Sequence, residues 1–85
     1  MPEVSRFAGI VIAMYRNDHP PPHFHARYGS SYGRFEIESG SCAGSLPPKE
    51  RRLVLEWLKL HRAELLANWS RLEQDLELIR IAPLE

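Results

Sequence analysis

The uneven distribution of glycine and proline constrains the fold of this 85-residue chain most strongly. All five glycines and four of the seven prolines precede residue 46, whereas residues 49–82 contain neither. Glycine and proline mark turns between strands, and helix interiors exclude them. The pattern predicts an α+β fold with strands first and helix afterwards. The length predicts one domain over residues 1–85.

Three segments of the first half are predicted strands, at about 7–15, 23–28 and 33–38. The first is a run of β-branched and aromatic residues without a polar break. Turn residues follow at Asn17-Asp18 and at Gly29-Ser30-Ser31, and the loop over residues 40–44 has room for a short fourth strand. We therefore expect a small antiparallel sheet of three to four strands.

The second half is predicted to be helical from Pro48, because a proline that precedes another proline avoids helical geometry. Its apolar stripe has helical spacing and consists of Val54, Trp57, Leu58, His61, Leu65, Trp69, Leu72 and Leu76. A helix over 48–76 would be about 43 Å long, which exceeds the roughly 30–35 Å expected for a globule of this size. We favour a break near His61, which gives one kinked or two packed helices at about 48–61 and 62–76. A long helix covered by a partner subunit is the alternative, and a short strand or tail ends the chain.

The charge balance and the cysteine content limit the classes of function. Eleven basic residues offset eleven acidic ones, so bulk charge does not indicate a dedicated nucleic-acid binder. Cys42 is the only cysteine, which excludes a disulfide within the chain and suits a reducing compartment. No apolar run approaches the length of a membrane span. We expect a cytoplasmic protein without a membrane partner.

The segment from His19 to Tyr28 is the predicted functional centre. Side chains alternate along a strand, so His23, His25 and Arg27 share one face. The third strand contributes a matching polar set, namely Arg34, Glu36 and Glu38. A four-residue loop over 29–32 predicts three cross-strand pairs: His25 with Glu36, His23 with Glu38, and Arg27 with Arg34. A loop two residues shorter or longer keeps the faces and changes the partners.

This polar face predicts acid–base chemistry on a phosphate ester. A carboxylate beside an imidazole fixes its tautomer and prepares it for proton transfer. Adjacent guanidiniums repel each other unless an anion lies between them. The hypothesis assigns catalysis to His23, His25 and Glu36 and substrate binding to Arg27 and Arg34, without a cofactor. A solvated sheet face is the alternative interpretation.

Metal binding is the rival chemistry. His19, His23 and His25 offer three nitrogens for a transition metal such as zinc, with Glu36 or Asp18 as a carboxylate ligand. The arginines on the same face count against a bound cation.

The chain also resembles the small bacterial proteins called domain of unknown function 4160. The most specific part of the resemblance is Pro21-Pro22-His23-Phe24-His25-Ala26, and Pro20 departs from the polar residue common in the family. Matching positions outside this motif run from Ser5-Arg6-Phe7 through Leu46-Pro47, Glu56-Trp57, His61, Leu65 and Trp69 to Ile81-Ala82-Pro83-Leu84.

The resemblance implies a genomic context rather than a mechanism, because such proteins are often encoded beside a second small protein, as in toxin–antitoxin pairs. We expect a toxin-like member of such a pair that acts on RNA as a metal-independent endoribonuclease. Its expected partners are the small cognate protein from the neighbouring gene, RNA and a second copy in a homodimer. The alternatives are a non-enzymatic, antitoxin-like binding module and a small metal-binding protein.

Overall fold

The computed structural model describes residues 2–84 and shows a five-stranded antiparallel sheet followed by one long helix. The predicted α+β class is confirmed, with five strands where three to four were expected. In sheet order the strands are β1 (Glu3–Phe7), β2 (Ile10–Ala13), β3 (His23–Tyr28), β4 (Ser31–Glu36) and β5 (Cys42–Gly44).

The segment predicted as one strand over 7–15 is instead the turn and second strand of the β1–β2 hairpin. Ala8 and Gly9 connect the strands with φ angles of 50° and 77°. Two consecutive positive φ angles are typical of the type I′ turn, whose twist matches that of the flanking strands. Alanine rarely adopts this conformation, so Ala8 gives no sign of the reversal, and Gly9 is the only turn residue within the apolar run.

The β3–β4 hairpin turns over two residues, Gly29 and Ser30. The prediction of a four-residue loop over 29–32 is therefore wrong. The three predicted cross-strand pairs are therefore wrong as well, and β4 lies two residues earlier than the predicted third strand. The observed pairs are His23 with Glu36, His25 with Arg34, and Arg27 with Tyr32. The shift is an even number of residues, so every side chain keeps its predicted face.

The helix α1 (Pro48–Glu73) has a kink at His61, where φ is −124° and ψ is 21°. A straight helix of 26 residues would be about 39 Å long, and the molecule's longest dimension is 34 Å. The kink lies where the sequence predicted a break, and of the two predicted forms the single kinked helix is the one observed. The helix ends before residue 76 because Asp75 adopts a φ of 62° and the Leu76 N–H bonds the Arg71 carbonyl at 2.8 Å.

One face of α1 packs on one face of the sheet and forms the core. Trp57 and Trp69 are buried there, as the stripe predicted. The final segment is a tail rather than a strand, and it follows β1 through a 3.0 Å bond from the Ile81 N–H to the Val4 carbonyl. Among residues 2–84, no helix has both the length and the apolar character that crossing a bilayer requires.

Candidate functional site

Asp18 supplies the carboxylate that joins the two histidines of β3. Its Oδ2 lies 2.9 Å from His23 Nε2 and 3.0 Å from His25 Nε2. Strand alternation places both imidazoles on one face, and the turn before β3 brings Asp18 back to them. Asn17 adopts a φ of 59°, a conformation that asparagine tolerates. The candidate ligand atoms of these three residues lie within 4.8 Å of one another.

The second nitrogen of each imidazole is also held by an oxygen. His23 Nδ1 lies 2.9 Å from the Pro21 carbonyl, and His25 Nδ1 lies 2.6 Å from the Tyr32 hydroxyl. A carbonyl only accepts hydrogen bonds, so His23 donates from Nδ1. Arg34 Nη2 lies 3.3 Å from the same Nδ1. A guanidinium only donates, so we assign the shorter Pro21 contact as the hydrogen bond.

This assignment decides what His23 Nε2 presents to Asp18. With a proton on Nδ1, a neutral His23 directs a lone pair from Nε2 at the carboxylate oxygen. That contact is favourable when a cation lies between the two atoms, either a second proton or a metal ion. The Nε2 side of His23 is therefore arranged to hold a positive charge beside Asp18.

Burial separates the roles of the three residues. The His23 side chain is only 2% exposed, whereas those of His25 and Asp18 are 17% and 26% exposed. His23 packs against Trp69, with ring centroids 5.2 Å apart, and His25 packs edge-on against Tyr15. Asp18 and His25 therefore face solvent at the edge of the cluster, and His23 anchors it from inside.

The surroundings shift two pKa values. Burial raises the pKa of Asp18, but the hydrogen bond from His25 and the charge of His23 outweigh burial and hold the pKa below its ordinary value. Burial raises the pKa of the Tyr32 hydroxyl, against an opposing effect of Arg34. Asp18 is therefore kept ionised, and Tyr32 keeps its proton.

The structure brings together only part of the predicted site. His23 and His25 meet, Arg34 lies beside His23, and Arg27 lies on the same face opposite Tyr32. Glu36 is paired with His23 in register, but its carboxylate accepts a 3.1 Å bond from Ser39 Oγ.

His19 stays outside the cluster of Asp18, His23 and His25 in the described chain. It contributes a 3.2 Å bond from its backbone N–H to Asp18 Oδ1. Asp18 was predicted only as an alternative carboxylate ligand, and Tyr32 was not predicted as part of the site. The proximity of Asp18 to the histidines along the chain was the available signal for the first, and a two-residue turn at Gly29 would have indicated the second.

Comparison with models of known protein families identifies the family of this chain. A family model described as a domain of unknown function (DUF4160) matches residues 9–70. The chain belongs to the DUF4160 family. No curated protein and no solved structure matches it. The family match includes the Asp18 cluster and most of α1, and the family assigns no activity to either.

Two depressions adjoin the cluster of this DUF4160 protein. A cleft of about 310 Å³ borders Asp18, and its other lining residues are Tyr15, Asn17, Trp69, Leu72 and Glu73. A smaller depression of about 40 Å³ lies beside His25, Arg27 and Tyr32. Access to the cluster from solvent is therefore through Asp18 and His25.

Proposed function

We propose that this DUF4160 protein binds a divalent transition metal through Asp18, His23 and His25, with zinc as the first candidate. The observation that carries the proposal is the convergence of two Nε2 atoms on one carboxylate oxygen. Two imidazoles and a carboxylate suit zinc and related metals. Three protein ligands leave a coordination position for water or substrate, as in catalytic zinc sites.

The distances fit metal binding after a small outward movement. With bonds of 2.0–2.1 Å, the ligand atoms of a tetrahedral zinc site are roughly 3.3 Å apart. The contacts of Asp18 with the two rings, 2.9 and 3.0 Å, are those of shared protons. A metal that replaces these protons moves each pair apart by a few tenths of an ångström, roughly. The side chains of Asp18 and His25 are partly exposed, which gives the cluster that freedom.

The partners of the two Nδ1 atoms support the same proposal. Metal-binding histidines usually donate their second N–H to an oxygen, which fixes the tautomer and the ring orientation. The Pro21 carbonyl holds His23 in this way, and the Tyr32 hydroxyl is placed to hold His25. Arg34 approaches His23 on the Nδ1 side, away from the nitrogen that would bind the metal. A metal held there would supply Lewis-acid activation of water or of an anionic substrate.

Metal titration of chelator-treated protein tests the proposal. We expect one equivalent of Zn²⁺ to bind in calorimetry and Co²⁺ to give a visible absorption spectrum of low-coordinate geometry. Asp18→Asn and His25→Gln remove a ligand and should abolish both signals. Glu36→Gln and His19→Gln are matched controls, because those side chains lie outside the cluster.

Two results would contradict this assignment. One is the absence of metal binding by the folded native chain. The other is an equal loss of binding in Asp18→Asn and in the Glu36→Gln control. Circular dichroism of each variant separates the loss of a ligand from the loss of the fold.

A second candidate function is the toxin-like, metal-independent endoribonuclease. It is favoured by the hydrogen-bonded chain from Asp18 through His25 to the Tyr32 hydroxyl, which pairs a carboxylate, an imidazole and a hydroxyl as acid–base catalysis requires. In this proposal His25 transfers the proton, Asp18 takes the orienting role first given to Glu36, and Arg27 and Arg34 bind phosphate. His23 positions Asp18.

Induced expression separates the two candidates. The toxin proposal expects a cytoplasmic protein, neutralised by a small partner from a neighbouring gene, that arrests growth and fragments RNA. His25→Ala should abolish both effects, and purified protein should cleave RNA in the presence of chelator. The lack of arrest by native and variant protein alike would favour the antitoxin-like binding module. A sedimentation mass tests the proposed homodimer.

A further inference from the structure

The face of the sheet opposite α1 carries a row of aromatic rings. We call it the outer face and define it by Val11, Tyr15, His25, Arg27, Tyr32 and Arg34. The ring centroids of Tyr15 and His25 are 5.0 Å apart, and those of His25 and Tyr32 are 5.7 Å apart. Tyr15 and Tyr32 are 38% and 42% exposed. Two accessible ring surfaces therefore flank the histidine at the edge of the candidate metal cluster.

Two arginines are the cross-strand partners of aromatic residues in this row. Arg27 is paired with Tyr32 in the β3–β4 register, and Arg34 is paired with His25. Side chains directly opposite each other in an antiparallel pair share a face and lie within contact range. Arg27 is exposed, and Arg34 is half-buried beside His23. The outer face thus alternates aromatic and cationic groups within a few residues.

We propose that the outer face binds single-stranded nucleic acid. Unpaired bases stack on exposed aromatic side chains, and cationic side chains neutralise the phosphates between them. Tyr15 and Tyr32 would stack bases, and Arg27 and Arg34 would contact the backbone. The claim that this nucleic acid is the substrate of the metal centre rests on the function proposed above. The claim that it binds the outer face does not.

The shape and local charge of the face favour a single strand over a duplex. A duplex buries its base faces and presents grooves, which are read by an inserted helix or ribbon rather than by a row of rings on a sheet. The balanced charge of the whole chain limits binding to local contacts. The nearby Asp18 carboxylate is already paired with both imidazoles, so it opposes a phosphate less than a free carboxylate would.

Fluorescence anisotropy with chelator-treated protein tests this inference. The probes are a labelled oligouridylate about twelve nucleotides long, the matching DNA and the corresponding duplex. Tyr15→Leu removes a ring and should weaken single-strand binding roughly fivefold or more. Arg27→Gln should weaken binding and lower the salt slope by about 0.7, the value for one phosphate contact on a single strand.

The chain offers a matched control for each variant. Tyr28 is 37% exposed, but strand alternation places it on the core side of the sheet, so Tyr28→Leu should leave binding unchanged. Arg52, exposed on α1, is the control for Arg27→Gln. Binding of RNA, DNA or both single strands supports the proposal, and their relative affinity identifies the preferred sugar.

Three results would overturn the proposal. They are no single-strand binding at low salt, duplex binding as tight as single-strand binding, and equal losses in Tyr15→Leu and Tyr28→Leu. Because chelator is present throughout, the outcome is independent of the metal titration. A protein that binds RNA but no metal refutes the metal centre alone, and the reverse result refutes only the nucleic-acid face.

Discussion

The two flanks of β3 build the Asp18 cluster in different ways. The turn before β3 contributes a carboxylate from Asp18 and a carbonyl from Pro21, and together they hold both nitrogens of His23. The β4 strand, which follows β3, contributes the Tyr32 hydroxyl to His25. The turn flank therefore fixes a buried histidine by its complete hydrogen-bonding capacity, whereas the strand flank supports an accessible one.

This difference assigns structural and reactive roles to two histidines that are only two residues apart. A buried imidazole with both nitrogens bonded cannot move without breaking its contacts with Trp69 and the turn. The partly exposed His25 is flanked by two tyrosines and can exchange its partners with solvent or substrate. Strand alternation alone predicts the same environment for both histidines.

The largest expected effect is on stability, from truncating the two histidines separately. His23→Ala leaves a cavity beside Trp69 and unpairs the Pro21 carbonyl, so it should lower the free energy of unfolding by about 2–4 kcal/mol. His25→Ala removes a partly exposed ring and should cost about 1 kcal/mol or less. Urea denaturation of chelator-treated protein measures both. Equal losses of unfolding free energy in the two variants would show that the turn before β3 and strand β4 contribute equally to stability.

The next largest expected effect concerns metal affinity at the β4 flank. Tyr32→Phe removes the hydroxyl that positions His25, and losing such an outer partner typically weakens metal binding about 10- to 100-fold. Ser39→Ala is the matched control, because it removes a hydroxyl that bonds Glu36 instead. Competition against a chromogenic chelator measures the affinities. An unchanged metal affinity in Tyr32→Phe would mean that the turn before β3, and not the Tyr32 hydroxyl, orients the ligands.

The same comparison explains how much of the site the sequence could predict. Alternation along β3 placed His23, His25 and Arg27 on one face regardless of register, because an even shift preserves the faces. The partners across the hairpin depend on loop length, and Gly29 is compatible with two- and four-residue loops. The predicted four-residue loop pairs His25 with Glu36. Glu36 was therefore assigned to the site, and Tyr32 was left out.

Backbone conformations that the residue type does not signal caused the remaining differences. Asp75 has a positive φ angle after α1, where glycine would have been the usual signal, and in the β1–β2 turn Ala8 adopts a positive φ angle beside Gly9, the one residue that marked the turn. The predicted first strand therefore missed a chain reversal, and the predicted helix ran to residue 76. The contact of Asp18 with His23 was unpredictable for the same reason, because it depends on the dihedral angles of the intervening turn.

A smaller expected effect tests the turn that sets the β3–β4 register. Gly29 has a φ of 60°, and a Cβ at this position would meet no atom within 4 Å. The cost of Gly29→Ala is therefore confined to the backbone, and we expect a loss of about 1–2 kcal/mol in the free energy of unfolding. Urea denaturation measures it. A stability equal to that of the native chain would mean that the hairpin tolerates another turn.

The smallest expected effect tests the turn that presents Asp18. Asn17 has a φ of 59°, so Asn17→Ala should destabilise the fold by up to about 1 kcal/mol, whereas Asn17→Gly should retain or slightly increase stability. Because the turn also sets the distance from Asp18 to both imidazoles, Asn17→Ala should weaken Zn²⁺ binding and Asn17→Gly should not. Parallel urea and metal titrations compare the two variants. If alanine lowers stability and leaves metal affinity intact, the contacts of Asp18 with the histidines, rather than the turn, hold its carboxylate in place.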